Sequence, residues 1–251
     1  MAGHSKWANI KHRKGRVDAA RAKTWSKISR AIIVAARNGG GDPAMNLTLR
    51  YAIEEAKSEN MPKDTIKRAI DKGAGAGQGE DYESVTYEGY GPGGVAVLVE
   101  ALTDNRTRTA GDVRYIFSKH GGNLGNPGSV SFMFQSRGRI FVEAAKADEE
   151  RLMELAIESG ADDVEPPEGD DGAFTIYTEP TAYLSVKEAI ENAGIEIADA
   201  GVTQIPDNES GPGAEEAAKL LRLVDALEDN DDVQKVYHNA DIPDEVLASQ
   251  G

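Results

Sequence analysis

Lysine and arginine side chains, which can bind phosphate oxygens, are concentrated at the start of this chain. Residues 1–37 contain ten of them and a single acid, Asp18, in a protein of 251 residues whose formal net charge is −15. Residues 1–80 carry a net charge of +8, whereas residues 81–251 carry −23. Such a division of charge between two segments predicts an anionic partner for the positive one.

A tryptophan lies inside this basic segment, which reads MAGHSKWANIKHRKGRVDAARAK, and no apolar neighbours account for it. A cationic arm that carries an aromatic ring can follow phosphates and stack on an exposed base. The basic residues continue onto one face of a helix predicted through DAARAKTWSKISRAIIVAARNGGG, and we expect that face to lie in water and the opposite, apolar face to lie in a core. The predicted nucleic-acid-binding residues are Lys6, Trp7, Lys11, Arg13, Lys14, Arg16, Lys23, Lys27 and Arg30.

The same segment admits other interpretations. A charge run can simply be a solvated face, and basic, acid-poor N-termini also occur in mitochondrial transit peptides, although this one lacks a clear amphipathic period. A helix-turn-helix can be drawn from residues 46–59 and 64–72, but its second helix is short and its basic residues are split around it. A membrane-surface helix would need bulky apolar residues, whereas this apolar face is mostly alanine.

No pattern in the chain predicts catalysis or a metal or cofactor site. There are no cysteines, so thiolate ligands and disulfides are excluded. The motif GYGPGG at residues 89–94 is followed by an apolar strand rather than a helix, which predicts a hairpin turn and not a nucleotide-binding loop. The acidic runs DDVEPPEGDD and EDNDD lack the order of a calcium loop, and we interpret them as solvated turns. The histidines are scattered, without ligand spacing: His4, His12, His120 and His238.

The hydrophobic patterning predicts an α+β protein of three domains. Three helices and a glycine-rich linker, GAGAGQGED, form a helical domain over residues 1–80. Residues 138–206 spell strand, helix, strand, strand, helix, strand, which is the ferredoxin-like order. We predict that this unit, whose first strand is RIFVEA, is inserted into a second α/β domain made of residues 81–137 and 207–251, which contains SVSFMFQ as a separate strand.

Several long motifs resemble the YebC/PmpR family, which includes the mitochondrial translational activator of cytochrome oxidase. The motifs occur in order over nearly the whole chain, and they are MAGHSKWANIKHRKGRVDAARAK, VAARNGGGDP, AKSENMPKDTIKRAIDKG, YEGYGPGGVAVLVEALTDNRTRTAGDVRYIFSKHGGNLG and GSVSFMF. The chain departs from the family pattern at WSKI, residues 25–28, and at NLTLR, residues 46–50, which lacks the usual proline and first arginine.

The resemblance implies a helical domain followed by two α/β domains, one inserted in the other. It also implies a non-enzymatic regulator of gene expression, either a DNA-binding transcriptional regulator or a translation factor that binds ribosomal RNA or tRNA on the ribosome and relieves stalling at proline-rich stretches. Both roles begin at a nucleic-acid backbone.

Since the longest apolar run is far shorter than a membrane span, we expect a cytoplasmic protein without a membrane partner.

Overall fold

Three helices near the N-terminus pack around an apolar core of their own. The computed structural model describes residues 21–75, 81–167 and 172–248, and the three helices are α1 (Arg21–Gly39), α2 (Leu47–Ser58) and α3 (Lys63–Ala74). Every fully buried member of their core lies between Ile28 and Ala69. The predicted apolar face of α1 therefore does form one side of a core, with Ile32 fully buried.

The corner between α1 and α2 is fixed by Asn46, which lies at the departure NLTLR. Its side-chain oxygen accepts a hydrogen bond from the Leu49 amide at 3.1 Å, which caps α2. Its side-chain nitrogen donates to the carbonyl oxygens of Ala35 and Gly40, both at 2.8 Å. Gly73 brings α3 against α1, because a Cβ atom there would lie 2.3 Å from the Ile33 carbonyl oxygen.

The rest of the described chain holds two four-stranded antiparallel sheets and five more helices. The strands are β1 (Glu83–Tyr90), β2 (Ala96–Thr103), β3 (Asn123–Leu124), β4 (Phe134–Glu143), β5 (Asp163–Glu165), β6 (Ala173–Thr178), β7 (Asp199–Pro206) and β8 (Val233–His238). The helices are α4 (Arg106–Lys119), α5 (Glu149–Glu158), α6 (Tyr183–Asn192), α7 (Ala214–Glu228) and α8 (Asp244–Ala248).

The first sheet has the strand order β3-β1-β2-β8 and is built from segments on both sides of the insertion. Strands β1 and β2 form the predicted hairpin, in register from Glu83 with Thr103 to Tyr90 with Ala96. Their turn requires positive φ at Gly93 and Gly94, 73° and 74°, which glycine adopts without steric cost. The GYGPGG motif is thus a hairpin turn, as its sequence predicts.

The second sheet has the order β5-β6-β4-β7. Its chain order of strand, helix, strand, strand, helix, strand is the ferredoxin-like one predicted for this region. The prediction of two separate strands at SVSFMFQ and RIFVEA is wrong. Strand β4 runs without a break from Phe134 to Glu143 and pairs with both β6 and β7, so that the predicted domain limit at residue 137 falls inside it.

In residues 128–131, which are not in a strand, three of the backbone amides are bound by one side chain. The Glu88 carboxylate accepts hydrogen bonds from the amides of Gly128, Val130 and Ser131 at 2.7 to 2.8 Å. These donors are therefore unavailable to a sheet ladder. The described chain divides into two compact units, one with α1–α3 and the first sheet (residues up to 132, and 212–240) and one with the second sheet (133–211 and 241–248).

Candidate nucleic-acid interface

The predicted nucleic-acid-binding residues fall into two groups. Six of them, residues 6, 7, 11, 13, 14 and 16, lie outside the described residues. The other three, Lys23, Lys27 and Arg30, lie on α1, where spacings of four and three residues place them on one helix face. The departure at Trp25 is accommodated on the core side, since its indole nitrogen donates to the Glu59 carbonyl oxygen at 3.0 Å.

The basic face of α1 does not lie open to water, which corrects the expectation from the sequence. It faces residues 228–232, the acidic loop, which joins α7 to β8 in the same compact unit. The Lys23 ammonium is 2.6 Å from an Asp229 carboxylate oxygen and 3.5 Å from one of Asp231. The interpretation of EDNDD as a solvated turn therefore holds only in part: the side chains of Asp229 and Asp231 are exposed but pair with Lys23, and Asp232 is buried.

The other two cations of this face bind backbone oxygens. The Lys27 ammonium donates to the carbonyl oxygen of Glu228. The Arg30 guanidinium donates to the carbonyl oxygens of Asp231 at 2.7 Å and Leu102 at 3.3 Å, and it lies 4.7 Å from the centre of the Tyr82 ring. The face thus gathers carboxylate and carbonyl oxygens along one helix, and oxygens of this kind resemble those that a phosphate would present.

Asp232 attaches the acidic loop to α4. Its carboxylate is buried and accepts hydrogen bonds from Arg108 at 2.6 Å and from the Thr109 hydroxyl at 2.7 Å, and Arg30 approaches its second oxygen at 3.4 Å. Burial alone would raise the pKa of Asp232. The hydrogen bonds from Arg108 and Thr109 and the charges of the two arginines outweigh burial and hold that pKa below its usual range.

The ionisation of the two lysines is shifted in opposite directions. Burial would lower the pKa of Lys23, but its hydrogen bond and ion pair with Asp229 and the charge of Asp231 outweigh burial and raise it. Burial, reinforced by the neighbouring charge of Lys23, lowers the pKa of Lys27 to about 8, and the acids of the loop offset only part of this. Lys27 is therefore a charged group held in a site that penalises its charge.

A pH dependence of stability follows from Lys27. Its pKa is lower in the folded chain than in the unfolded chain, where it is about 10.5, so between these values the unfolded state binds more protons and stability rises with pH. We expect the rise from pH 8 to pH 10 to be about 1 to 2 kcal/mol after solvent screening. Urea unfolding of the wild type and of Lys27→Met measures it, because the variant should lack the rise.

Lys23→Met is the matched control for that comparison. It retains Lys27, and the raised pKa of Lys23 affects stability only above about pH 10.5, so this variant should keep most of the rise. Parallel pH profiles for the wild type and Lys27→Met would show that the Lys27 ammonium is not penalised.

Ion pairs also join the first three helices to the first sheet at other points. Lys235 on β8 lies 3.1 Å from Glu55 on α2, and Arg37 on α1 lies 3.4 Å from Asp81. The apolar cluster of the helices has members only in α1–α3 and their connections. Both of these ion pairs are partly exposed, and we expect salt to weaken them.

The sequence contained the signal for this contact in its charge pattern. The run EDNDD contains three aspartates, at positions 229, 231 and 232. Their number matches that of the cations at positions 23, 27 and 30 on one helix face. Charge complementarity alone cannot pair segments about two hundred residues apart, and only the tertiary structure brings them together.

Within the described ranges, no helix is both long and apolar enough to cross a bilayer.

Comparison with known proteins covers both parts of the chain. Residues 5–76 match the family described as the TACO1/YebC protein N-terminal domain, and residues 82–240 match the TACO1/YebC second and third domain. A protein of Rubrobacter xylanophilus named a probable transcriptional regulatory protein is 54% identical over 249 residues, which cover 99% of this chain and 98% of that one. A protein of the same description from Photorhabdus laumondii is 53% identical over 248 residues and covers 99% of both chains.

A solved structure is similar over nearly the whole chain. The crystal structure of a conserved hypothetical protein from Aquifex aeolicus has a TM-score of 0.80 and 51% sequence identity, and the match covers 93% of this chain and 96% of that one. Because both family matches together span almost the full length and the relatives are more than half identical, the chain belongs to the TACO1/YebC family.

Proposed function

We propose that this protein is a non-enzymatic regulator of gene expression that binds nucleic acid through its basic N-terminal arm, residues 6–16, and through the basic face of α1. The charge distribution carries the proposal, because a net +8 lies in residues 1–80 of a chain whose remainder is −23. The relatives named probable transcriptional regulatory proteins support the regulatory role, and duplex DNA is the partner we place first.

Binding of nucleic acid to α1 requires displacement of the acidic loop. Lys23, Lys27 and Arg30 hold carboxylate and carbonyl oxygens of residues 228–232, so phosphates must displace the loop before they reach α1. The first contact with nucleic acid is therefore made by the arm, before the loop is displaced. Its residues are Lys6, Lys11, Arg13, Lys14 and Arg16, with Trp7 as a stacking residue. The strongly acidic remainder repels phosphate and restricts binding to one orientation.

Neutralising the arm tests the proposal. In the full-length chain, Arg13→Gln/Lys14→Gln/Arg16→Gln should reduce the slope of log affinity against log salt for a 20-base-pair duplex by about 2 to 3, since each phosphate contact contributes about 0.9. Fluorescence anisotropy at several salt concentrations measures this slope. The control is Lys146→Gln/Lys187→Gln/Lys219→Gln, which removes three cations that pair with Glu196, Glu191 and Glu215.

An unchanged slope in the arm variant, or an equal decrease in the control, would refute a specific role for the arm. The same measurements on promoter fragments separate two forms of the proposal. A transcriptional regulator should prefer its site over random duplex by about a thousandfold or more. A translation factor on the ribosome should show no such preference and should sediment with ribosomes in an RNase-sensitive manner.

A further inference from the structure

The acidic part of the chain contains one long stretch without any acid. Residues 113–142 have no aspartate or glutamate, although the chain has 43 of them in 251 residues, and four arginines or lysines lie in this stretch. At the average frequency, thirty residues would include about five acids. Arg137, in the unit of the second sheet, is paired with Asp162 at 2.9 Å and Glu179 at 2.6 Å. The unit of the first sheet retains residues 113–132, which we call the acid-free segment.

Its first half exposes two cations and an aromatic ring on α4. Val113 and Phe117 are fully buried, which turns Arg114, Tyr115 and Lys119 outward. The Tyr115 side chain is 64% exposed, and the Lys119 ammonium lies 5.7 Å from the centre of its ring. Among the described residues, no carboxylate lies within ion-pair distance of Arg114 or Lys119, in contrast to the cations of α1.

Its second half exposes another ring on a loop that is held in place. Phe132 is 73% exposed and directly follows the three amides bound by the Glu88 carboxylate. Gly125 also donates to the Glu88 carbonyl oxygen at 2.8 Å, and the Tyr90 hydroxyl donates to the Ser129 carbonyl oxygen at 3.0 Å. An aromatic ring presented by a prearranged loop binds without the entropic cost of ordering that loop.

The buried acid beneath the loop does not oppose an anionic ligand strongly. Burial would raise the pKa of Glu88, but the amides of Gly128, Val130 and Ser131 outweigh burial and lower it. Its negative charge is thus compensated by three amide dipoles aimed at it. The two halves of the segment meet at β3, which follows α4 closely and pairs with β1 beside Tyr90.

We propose that the acid-free segment is a second nucleic-acid contact, which binds single-stranded RNA or DNA with phosphates on Arg114 and Lys119 and bases stacked on Tyr115 and Phe132. This proposal rests on the proposed function and adds to it a contact outside the N-terminal arm. A single strand fits better than a duplex, because the faces of its bases are accessible to aromatic rings. The segment contains cations but no acids of its own, which suits a polyanion and gives no complement to a basic protein partner.

Anisotropy titrations of the full-length protein with a labelled 20-nucleotide oligo(U) and oligo(dT) test the proposal, and the two probes separate RNA from DNA. Arg114→Gln/Lys119→Gln should weaken binding and reduce the salt slope by about 1 to 2, since each phosphate on a single strand contributes about 0.7. Tyr115→Ala and Phe132→Ala should each weaken binding about 5- to 100-fold, whereas Tyr115→Phe and Phe132→Tyr should retain it.

The control for charge is Lys146→Gln/Lys219→Gln, and circular dichroism shows whether each variant is folded. Unchanged affinity and slope in folded Arg114→Gln/Lys119→Gln, or a decrease equal to the control's, would overturn the second contact. Equal losses of affinity in Tyr115→Phe and Tyr115→Ala, and in Phe132→Tyr and Phe132→Ala, would also overturn it. Since the arm variant is measured with the same probes, loss of binding in that variant alone would leave the proposed function standing and remove only this inference.

Discussion

Replacing Asp232 with alanine is expected to lower the free energy of unfolding by about 2 to 3 kcal/mol. Asp232 as a whole is 7% exposed, and its carboxylate accepts hydrogen bonds from Arg108 and Thr109. Its removal leaves the Thr109 hydroxyl buried with one acceptor fewer and leaves Arg30 facing fewer anions. Arg108 is about half exposed and can be rehydrated, which keeps the loss below that of a fully buried pair.

Asp104→Ala is the matched control, because Asp104 binds the same arginine at 2.8 Å but is 45% exposed. We expect that variant to lose less than about 1 kcal/mol. Urea unfolding at pH 7 measures both, and equal losses would show that burial of Asp232 contributes nothing. The difference also depends on pH. Because folding lowers the pKa of Asp232 from 3.8, its contribution is present above that value and is lost as the pH falls through the folded pKa.

Neutralising the acidic loop is expected to increase the affinity for nucleic acid. In Asp229→Asn/Asp231→Asn, Lys23 loses both of its carboxylate partners, and the loop is held to α1 mainly through carbonyl oxygens. If phosphates compete with the loop for this face, the variant should bind a 20-base-pair duplex about tenfold more tightly at 0.1 M salt. The slope of log affinity against log salt should become steeper by about 1 to 3, because up to three more cations reach phosphates.

The control removes the same net charge from another unit. Glu154→Gln/Glu158→Gln changes two exposed acids of α5, so any general reduction of repulsion appears there as well. An equal increase in both variants would assign the effect to net charge. No increase in either would mean that α1 does not contact nucleic acid, and the binding surface would then consist of the arm and the acid-free segment.

The aspartates of the acidic loop differ in what they contribute. Asp232 is buried and joins β8 to α4, so its loss is measured in stability. Asp229 and Asp231 are exposed, with side chains 83% and 80% accessible, so their ion pairs with Lys23 contribute little to stability. Exposed pairs of this kind can exchange partners, which is what competition with phosphate requires.

Local sequence determined most of the elements and their class. The periods of α1–α3 predicted three helices, and the apolar face through Ile28 and Ile32 does form their core. The glycine-rich turn at 89–94 predicted the β1–β2 hairpin, and the order of elements in 138–206 predicted the ferredoxin-like sheet. These features are decided within short windows, by side-chain spacing and turn chemistry, which a sequence displays directly.

Tertiary structure alone decided what the polar residues contact. The sequence of α1 predicts the same amphipathic helix whether water or Asp229 lies against its basic face. About two hundred residues separate Lys23 from Asp229, its partner. Glu88 likewise gives no local sign that it binds the amides of Gly128, Val130 and Ser131, in a region where the start of a predicted strand is a loop. Ion pairs and side-chain-to-backbone hydrogen bonds depend on positions in space and leave no period in the sequence, and this is why they appear only once the chain has folded.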